Sequence, residues 1–452
     1  MKDRNDILNG VLYKQILLFF FPILFGTLFQ LFYNTVDAIV VGNYVGKEAL
    51  AAVGGSAGTL MNMLVNFITG VASGATVVIA QCYGNNDDKG VRSGVRSGMF
   101  LAIVMGGILM VIGFILAPFM LRLTKVPQDI MGMSVLYMRV YYFGLVPSLI
   151  YNMGSGILRA IGDSKRPFYF LVASALTNVV LDILFVVVFH MGVAGVGLAT
   201  VISQCVSASL ILLSLSRTSD SYHFVLRDFG FEKDLLIKIV LIGIPAGLQS
   251  VLYSVSNLFI HSSVNTFGTD TVAAYTVFGK IDEFFWAISG ALGNAALTIV
   301  GQNFGALKIE RVKKAIWTAL WMYLVMSALL SSTMLLCGRF MMSMFTKDEV
   351  VKGICWQMLR FLAPTWGTFA VVEIFSSSLK ACGDSLNSML LTVFGVCAIR
   401  IGWILFFPYH TVVEALYCYP LSWVFTSLLF LVYYFKSGWL QKCIRKRNLI
   451  TK

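Results

Sequence analysis

Read from its amino end, the chain alternates long apolar runs with short polar breaks. Runs bounded by charged residues or by Pro and Gly predict helices near residues 14 to 40, 52 to 82, 94 to 121, 133 to 158, 167 to 190 and 193 to 216. A polar stretch from Arg217 to Lys238 follows, and six more runs lie near 239 to 262, 272 to 301, 315 to 340, 355 to 380, 386 to 408 and 412 to 436. Each run meets the roughly 20 residues that a helix needs to cross the bilayer core. The pattern predicts an all-α integral membrane protein with twelve transmembrane helices and no sizeable soluble domain.

Composition points the same way. Of 452 residues, 58% are hydrophobic and 12% charged, whereas a soluble domain carries about a quarter charged residues. Aromatics reach 13%, with 35 phenylalanines, and mean hydropathy is +0.81. An ordinary soluble domain is excluded. The 34 Lys and Arg against 22 Asp and Glu leave a net charge of +12, and basic residues of membrane proteins collect on the cytoplasmic side. With the amino terminus inside, about 24 of them fall on cytoplasmic ends and loops, about 6 on outer ones and four within spans. Both termini are therefore expected in the cytoplasm. The tail KCIRKRNLITK reads as an anionic-lipid contact, and nucleic acid is not expected as a partner. The eight cysteines lie mostly in apolar stretches, form no CxxC pair, and read as small core residues. The polar start MKDRNDILNGVLYK enters an apolar run without a small-residue cleavage site, which predicts a retained first helix.

The chain repeats itself. RAIGDS at 159 to 164 returns as KACGDS at 380 to 385, an offset of 221 residues. VGKEALAAV at 45 to 53 matches FGTDTVAAY at 267 to 275, AQCYG at 80 to 84 matches GQNFG at 301 to 305, and Pro22 pairs with Pro245 at an offset of 223. Six helices per copy is an even number, so the copies share one orientation and imply a pseudo-two-fold axis along the membrane normal. The expected organisation is an amino-terminal lobe over 1–216, a cytoplasmic linker over 217–238 and a carboxy-terminal lobe over 239–452 with a basic tail. Transporters place substrate at such an interface, so a central cavity is expected between the lobes.

Charged groups inside spans need a partner, a cavity or a function. Asp37 lies deep along the first helix, and Asn178 and Asp182, four apart, present an amide and a carboxylate on one face of the fifth. Two carboxylates, the Asn178 carbonyl and a hydroxyl such as Thr200 suit a small hard cation. Equally, one carboxyl holds a proton and donates to the other. Through the repeat, Asn178 maps to Ile399, Asp182 to Trp403 and Asp37 to Ile260, which places ion chemistry in the amino-terminal lobe. Arg400 in the equivalent helix argues against a matching cation site in the other lobe.

The carboxy-terminal lobe has its own polar set, Lys280, Asp282 and Glu283 in the eighth helix and Glu373 in the tenth, the repeat mate of Asn152. Lys280 and Glu283 form an ion pair or line a cavity, and Glu373 reads as a cavity carboxylate for cationic substrates or a second proton site. Gln30, Asn34, Asn152, Glu283 and Glu373 are the candidate substrate-cavity residues. Phe259, Phe284, Phe285, Trp286, Tyr137 and Tyr141 offer faces to organic cations. Arg139 and Arg360 read as snorkelling cations. Pro22, Pro147, Pro245 and Pro364 fall within spans as candidate hinges or kinks, Pro22 being the hinge of the coupling helix.

These residues resemble a known family, the multidrug and toxic compound extrusion (MATE) transporters, particularly their bacterial efflux members. The similarity spans nearly the whole chain and is carried by YNTVDAIVVGNYVGKEALAAVG at 33 to 54, LRAIGDSKRP at 158 to 167, TNVVLDILFVVVFHMGVAGVGLATVISQ at 177 to 204 and LKACGDS at 379 to 385. It implies two six-helix lobes, a bacterial cytoplasmic membrane location, a monomer, and antiport of organic, often cationic, drugs against protons or sodium by alternating access. It implies no cofactor beyond that coupling ion. By motif position Asp37, Asn178 and Asp182 correspond to the coupling site of related members, with Thr200 as its hydroxyl neighbour and Tyr137 as a looser match. If sodium is the ion, Asp37, Asn178, Asp182 and Thr200 are its implied ligands. The chain departs from some members in lacking a carboxylate over 243 to 264, so a sodium site on the seventh helix is not expected.

Three other readings compete. A lipid or lipid-linked oligosaccharide flippase of the same superfamily would show a strongly basic cavity, whereas carboxylates hold the key positions here. An enzyme would need a catalytic motif, yet His190, His223, His261 and His410 form no HExxH pair and no Walker A sequence is present. A channel fits a two-lobed repeat less well than alternating access does.

Overall fold

Inside a bilayer every backbone N–H and C=O must be paired within its own segment, so the apolar runs become helices. The computed structural model describes residues 5 to 450; the first four residues, and Thr451 and Lys452 of the basic tail, lie outside them. Among the described residues eleven helices are long and apolar enough to cross a membrane, and a bent pair supplies a twelfth span. They are Leu12–Tyr44, Lys47–Gly84, Asp88–Leu123, the pair Gln128–Phe143 and Leu145–Ala160, Lys165–Val188, Gly192–Ser216, Lys233–Phe267, Thr269–Gly305, Ile309–Phe345, Glu349–Ala381, Ser385–Phe406 and Val412–Lys436. The eighth and ninth spans run 37 residues each, roughly 55 Å of helix against a hydrocarbon core of about 30 Å, so their ends reach beyond the lipid tails.

Two spans are less regular than the sequence pattern suggests. The fourth, expected as one helix, bends by 48° at Gly144. Pro147, three residues on, lacks an N–H for the helix ladder, and a Cβ at Gly144 would lie 2.1 Å from Gln204 Oε1, so the break also admits a neighbouring side chain. The tenth span is interrupted by a 3-10 turn, Ala363–Phe369, that holds Pro364. Pro22 and Pro245, by contrast, sit inside continuous helices. Two spans widen into π-helical turns, Ile183–Val188 directly after Asp182 and Val393–Ala398 two residues before Arg400.

The chain divides into two compact units that do not follow its order strictly. One holds residues 21 to 247, and the other holds 5 to 20 with 248 onward. The first and seventh spans therefore each change unit within two residues of a proline, Pro22 or Pro245. In the amino-terminal unit the stretch after the sixth span is docked and not loose. Tyr222 and Phe224 are buried, Arg166 donates to Ser214 Oγ at 3.0 Å and Tyr222 Oη at 3.2 Å, and Arg96 donates to the Asp228 carbonyl at 3.0 Å.

In the carboxy-terminal unit both chain ends meet one end of the bundle. The short helix Asn5–Asn9 is held by Lys308, which donates to the Leu8 carbonyl and to Asn9 Oδ1 at 3.1 and 2.6 Å, and by Arg311 on the Ile7 carbonyl at 3.1 Å. At the same end Arg447 of the final helix, Trp439–Ile450, donates to the carbonyls of Phe304 and Gly305, which satisfies backbone groups a helix terminus leaves open. The cysteines are unbridged. Five are buried as expected, Cys82 is half-buried, and Cys205 and Cys337 stand exposed on their helices.

Candidate functional site

The amino-terminal unit gathers four of the five residues expected to take part in ion coupling. Asp182 is fully buried and Asn178, one turn earlier, is 1% exposed. Asp37, half-buried on the first span, brings its carboxyl up to that of Asp182. Tyr137, also buried, stands close enough to both carboxyls to feel their charge. Both polar atoms of Asn178, both carboxyl oxygens of Asp182 and Asp37 Oδ1 are buried without a hydrogen-bond partner, and no Lys or Arg pairs with either carboxyl among the described residues. Buried polar atoms are rarely left so. A set of orphaned oxygens around two facing carboxyls fits a bound proton or a small cation, each of which would remove the repulsion between them.

Thr200 is the looser member. Its hydroxyl donates to the Val196 carbonyl of its own helix at 3.0 Å, which leaves only its lone pairs for a ligand. Three residues that the motif reading did not assign to this site join it. Tyr33 lies against Gln30 and near Asp37, Tyr141 packs beside Tyr137 with ring centroids 6.0 Å apart, and Gln204 is the neighbour of Tyr141. Their signal was spacing: Tyr33 and Asp37, Tyr137 and Tyr141, and Thr200 and Gln204 are all one helical turn apart.

The expected substrate-cavity residues do not form one set within either unit. In the amino-terminal unit Gln30 belongs with Tyr33, Asn34 is exposed, and Asn152 is occupied by the Ser148 carbonyl at 2.9 Å and by Thr69 at 3.4 Å. In the carboxy-terminal unit Glu283 and Glu373 part company. Glu373 accepts from Ser377 at 3.5 Å and lies against the backbone of Gly293, where a Cβ would be 1.9 Å from its Oε1. Glu283 instead lines a cavity of about 290 Å³ with Asn257, His261, Tyr275, Lys280, Asp282, Trp286 and Tyr419 among its walls. Lys280 and Glu283 pair at 2.9 Å while both face this cavity, so the two readings of them hold together. Asp282 accepts from the Trp286 indole N–H at 2.7 Å.

Of the six aromatic residues expected to stack on cations, Trp286 faces this cavity. Phe285 is buried and stacked on Trp366 at 5.0 Å instead. Behind the cavity wall lies Arg400, fully buried and held by Asn257, Tyr253 and Ser422. Its position was visible in the sequence, but its partners were not. No group of three or more His, Cys, Asp or Glu placed to hold a metal ion together occurs among the described residues.

The model of the MatE family matches residues 22–184 and 245–404, two segments that begin at the paired prolines. Probable multidrug resistance protein YoeA of Bacillus subtilis is 26% identical over 444 residues, covering 96% of either chain. An FAD transporter of Shewanella oneidensis is 23% identical over 407 residues, covering 87% of either chain. An outward-facing structure of a multidrug resistance MATE family transporter superposes with a TM-score of 0.89 at 23% identity, covering 98% of this chain and 99% of that one. That likeness establishes the fold of twelve helices in two lobes.

Proposed function

The chain belongs to the MatE family of membrane transporters, and on that premise we propose that it is a secondary antiporter exporting small organic cations or drugs against protons or sodium. The observation that carries this reading is the facing pair Asp37 and Asp182 beside Asn178, buried with orphaned oxygens and without a protein cation. Two like charges in contact away from water are costly, so the pair calls for a proton or a cation from outside the chain. Asp37 and Asp182 sit on different spans, and adding or removing that ion changes how strongly the first span is held to the fifth. Pro22, where the first span leaves one compact unit for the other, is the point about which that helix moves. Exchange then follows by alternating access, provided that ion and substrate each prefer a different state.

Substrate is taken up by the acidic and aromatic groups of the carboxy-terminal cavity, where Asp282, Glu283, Trp286 and Tyr419 supply charge and ring faces to a cation. The acidic character of both sites weighs against the lipid-diphosphate flippase reading and against an anionic dinucleotide such as the cargo named for the Shewanella relative. The test is uptake of ethidium into inside-out vesicles under an imposed proton or sodium gradient. Wild-type protein is expected to respond to one gradient. Asp37→Asn is expected to bind ethidium yet lose gradient-driven uptake by about tenfold or more, as removal of an intramembrane functional carboxyl should. Undiminished uptake in Asp37→Asn would sink the assignment. Uptake of FAD in place of ethidium would replace the substrate class.

A further inference from the structure

We propose that the Arg400 guanidinium is a tethered cation. In the carboxy-terminal unit it permanently fills the counterpart of the amino-terminal ion site, and it positions the walls of the neighbouring ligand cavity. Arg400 is fully buried. Its edge is taken up by neutral acceptors: Nε donates to Ser422 Oγ at 3.3 Å, Nη1 to Asn257 Oδ1 at 2.8 Å and Nη2 to Tyr253 Oη at 2.9 Å. The Tyr253 and Tyr419 rings lie 4.6 and 4.4 Å from its central carbon. No carboxylate comes within 4.0 Å of it among the described residues, and Asp282 feels its charge only from further away. Ring faces with hydroxyl and amide oxygens at the rim make a receptor for a planar cation. Here the cation is covalently attached.

The repeat identifies what this receptor replaces. At the offset of 223 residues Asn257 matches Asn34 and Tyr253 matches Gln30, both on the span of Asp37; at 221 Arg400 matches Val179, next to Asn178. The same two helices of each copy thus carry the charged centre. In the amino-terminal unit the centre is acidic with orphaned oxygens, and in the carboxy-terminal unit it is cationic with its partners in place. A π-helical turn adjoins both, following Asp182 and preceding Arg400, and such turns re-aim side chains at functional sites. An arginine keeps its proton at any working pH, so the carboxy-terminal centre cannot answer to a proton or sodium gradient. Only the claim that the amino-terminal centre is the responsive one rests on the antiport reading. Asn257 and Tyr419 touch Arg400 and also line the cavity with Asp282 and Trp286, so Arg400 is a positioning residue for whatever binds there.

The experiment removes the tether and offers the cation back. Purified Arg400→Ala is titrated with guanidinium chloride, with urea as the neutral isostere and with sodium chloride as the salt control. The readouts are Tm and the tryptophan fluorescence of Trp286 and Trp423, which pack on Tyr253 and Tyr419. Guanidinium is expected to raise the Tm of Arg400→Ala and to bind at least about tenfold more tightly than urea, because the box recognises charge as well as shape. Wild type is expected not to respond. Equal effects of urea and guanidinium, or an equal response of wild type, would overturn the proposal. If Arg400→Ala folds only when guanidinium is present at solubilisation, that rescue supports it, and absence of any rescue overturns it. Arg400→Lys, which keeps the charge, is expected to hold Tm nearer wild type than the apolar Arg400→Met; the reverse order counts against a cation. No gradient enters these measurements, so their failure and that of the antiport assay are separable.

Discussion

A carboxyl pair buried without a cation is the least comfortable arrangement a membrane protein can carry, and Asp37 and Asp182 are such a pair. An external ion would relieve the repulsion between them, which is why the proposed coupling is placed there. The opposite case, a titratable group kept silent, is found at Cys443 in the final helix. Burial pushes its thiol from an ordinary value near 9.0 up to about 12, and the Asp384 carboxylate adds to the effect. The thiolate is the nucleophile, so Cys443 is expected to resist maleimide at pH 7.5 and to gain reactivity only as pH climbs towards 12. Mass-spectrometric mapping checks this, and labelling of Cys443 as fast in the folded as in the denatured protein would contradict it. The folded state keeps a proton that the unfolded thiol sheds, so this group's stabilising contribution is complete below pH 9.0 and is lost as pH rises through about 12. Asp37, Asn178 and Asp182 could be read from the sequence because charge inside an apolar run stands out. Tyr33, Tyr141 and Gln204 carried only their one-turn spacing as a signal, and an aromatic or amide so spaced in an apolar run is as consistent with packing.

At the scale of elements, helices followed from apolar length alone, while their irregularities depended on neighbours. The bend at Gly144 and the turn at Ala363–Phe369 each involve a proline, yet Pro22 and Pro245 leave their helices continuous. Proline removes one hydrogen bond; whether the helix then breaks depends on what fills the gap. The π-turns after Asp182 and before Arg400 have no local signal in ILFVVV or VFGVCA. Close approach between elements has one: glycine at 293 on the eighth span leaves the room that the Glu373 carboxyl occupies, and a Cβ there would displace it. Gly293→Ala should lower stability by about 1–3 kcal/mol through overpacking, and Glu373→Ala should relieve most of that cost in the double variant. Thermal unfolding of the four proteins measures the coupling. Strict additivity would show that the two side chains do not collide.

At the scale of the whole molecule, the two compact units exchange the first parts of their leading helices, so residues 5 to 20 lie with the second unit and 233 to 247 with the first. The amino-terminal helix and the tail helix meet the same end of the carboxy-terminal unit, at Lys308, Arg311, Phe304 and Gly305. Together with the distribution of basic residues this places both termini in the cytoplasm as our expectation. Alkaline phosphatase fused after Lys125 or His410 should then be active and the same enzyme at the carboxy terminus inactive; the opposite pattern would invert the topology. The sequence by itself determined the solvent, the number of spans, the internal repeat, the family and which acid residues lie inside spans, because hydropathy and intramembrane charge act over short stretches of chain. Tertiary structure alone decided that Asp37 meets Asp182, that Glu373 and Glu283 belong to different places, that Arg400 is enclosed by neutral partners, and where helices bend. Those outcomes turn on which faces of distant helices pack together, and a periodicity that leaves almost every face apolar does not say which face meets which.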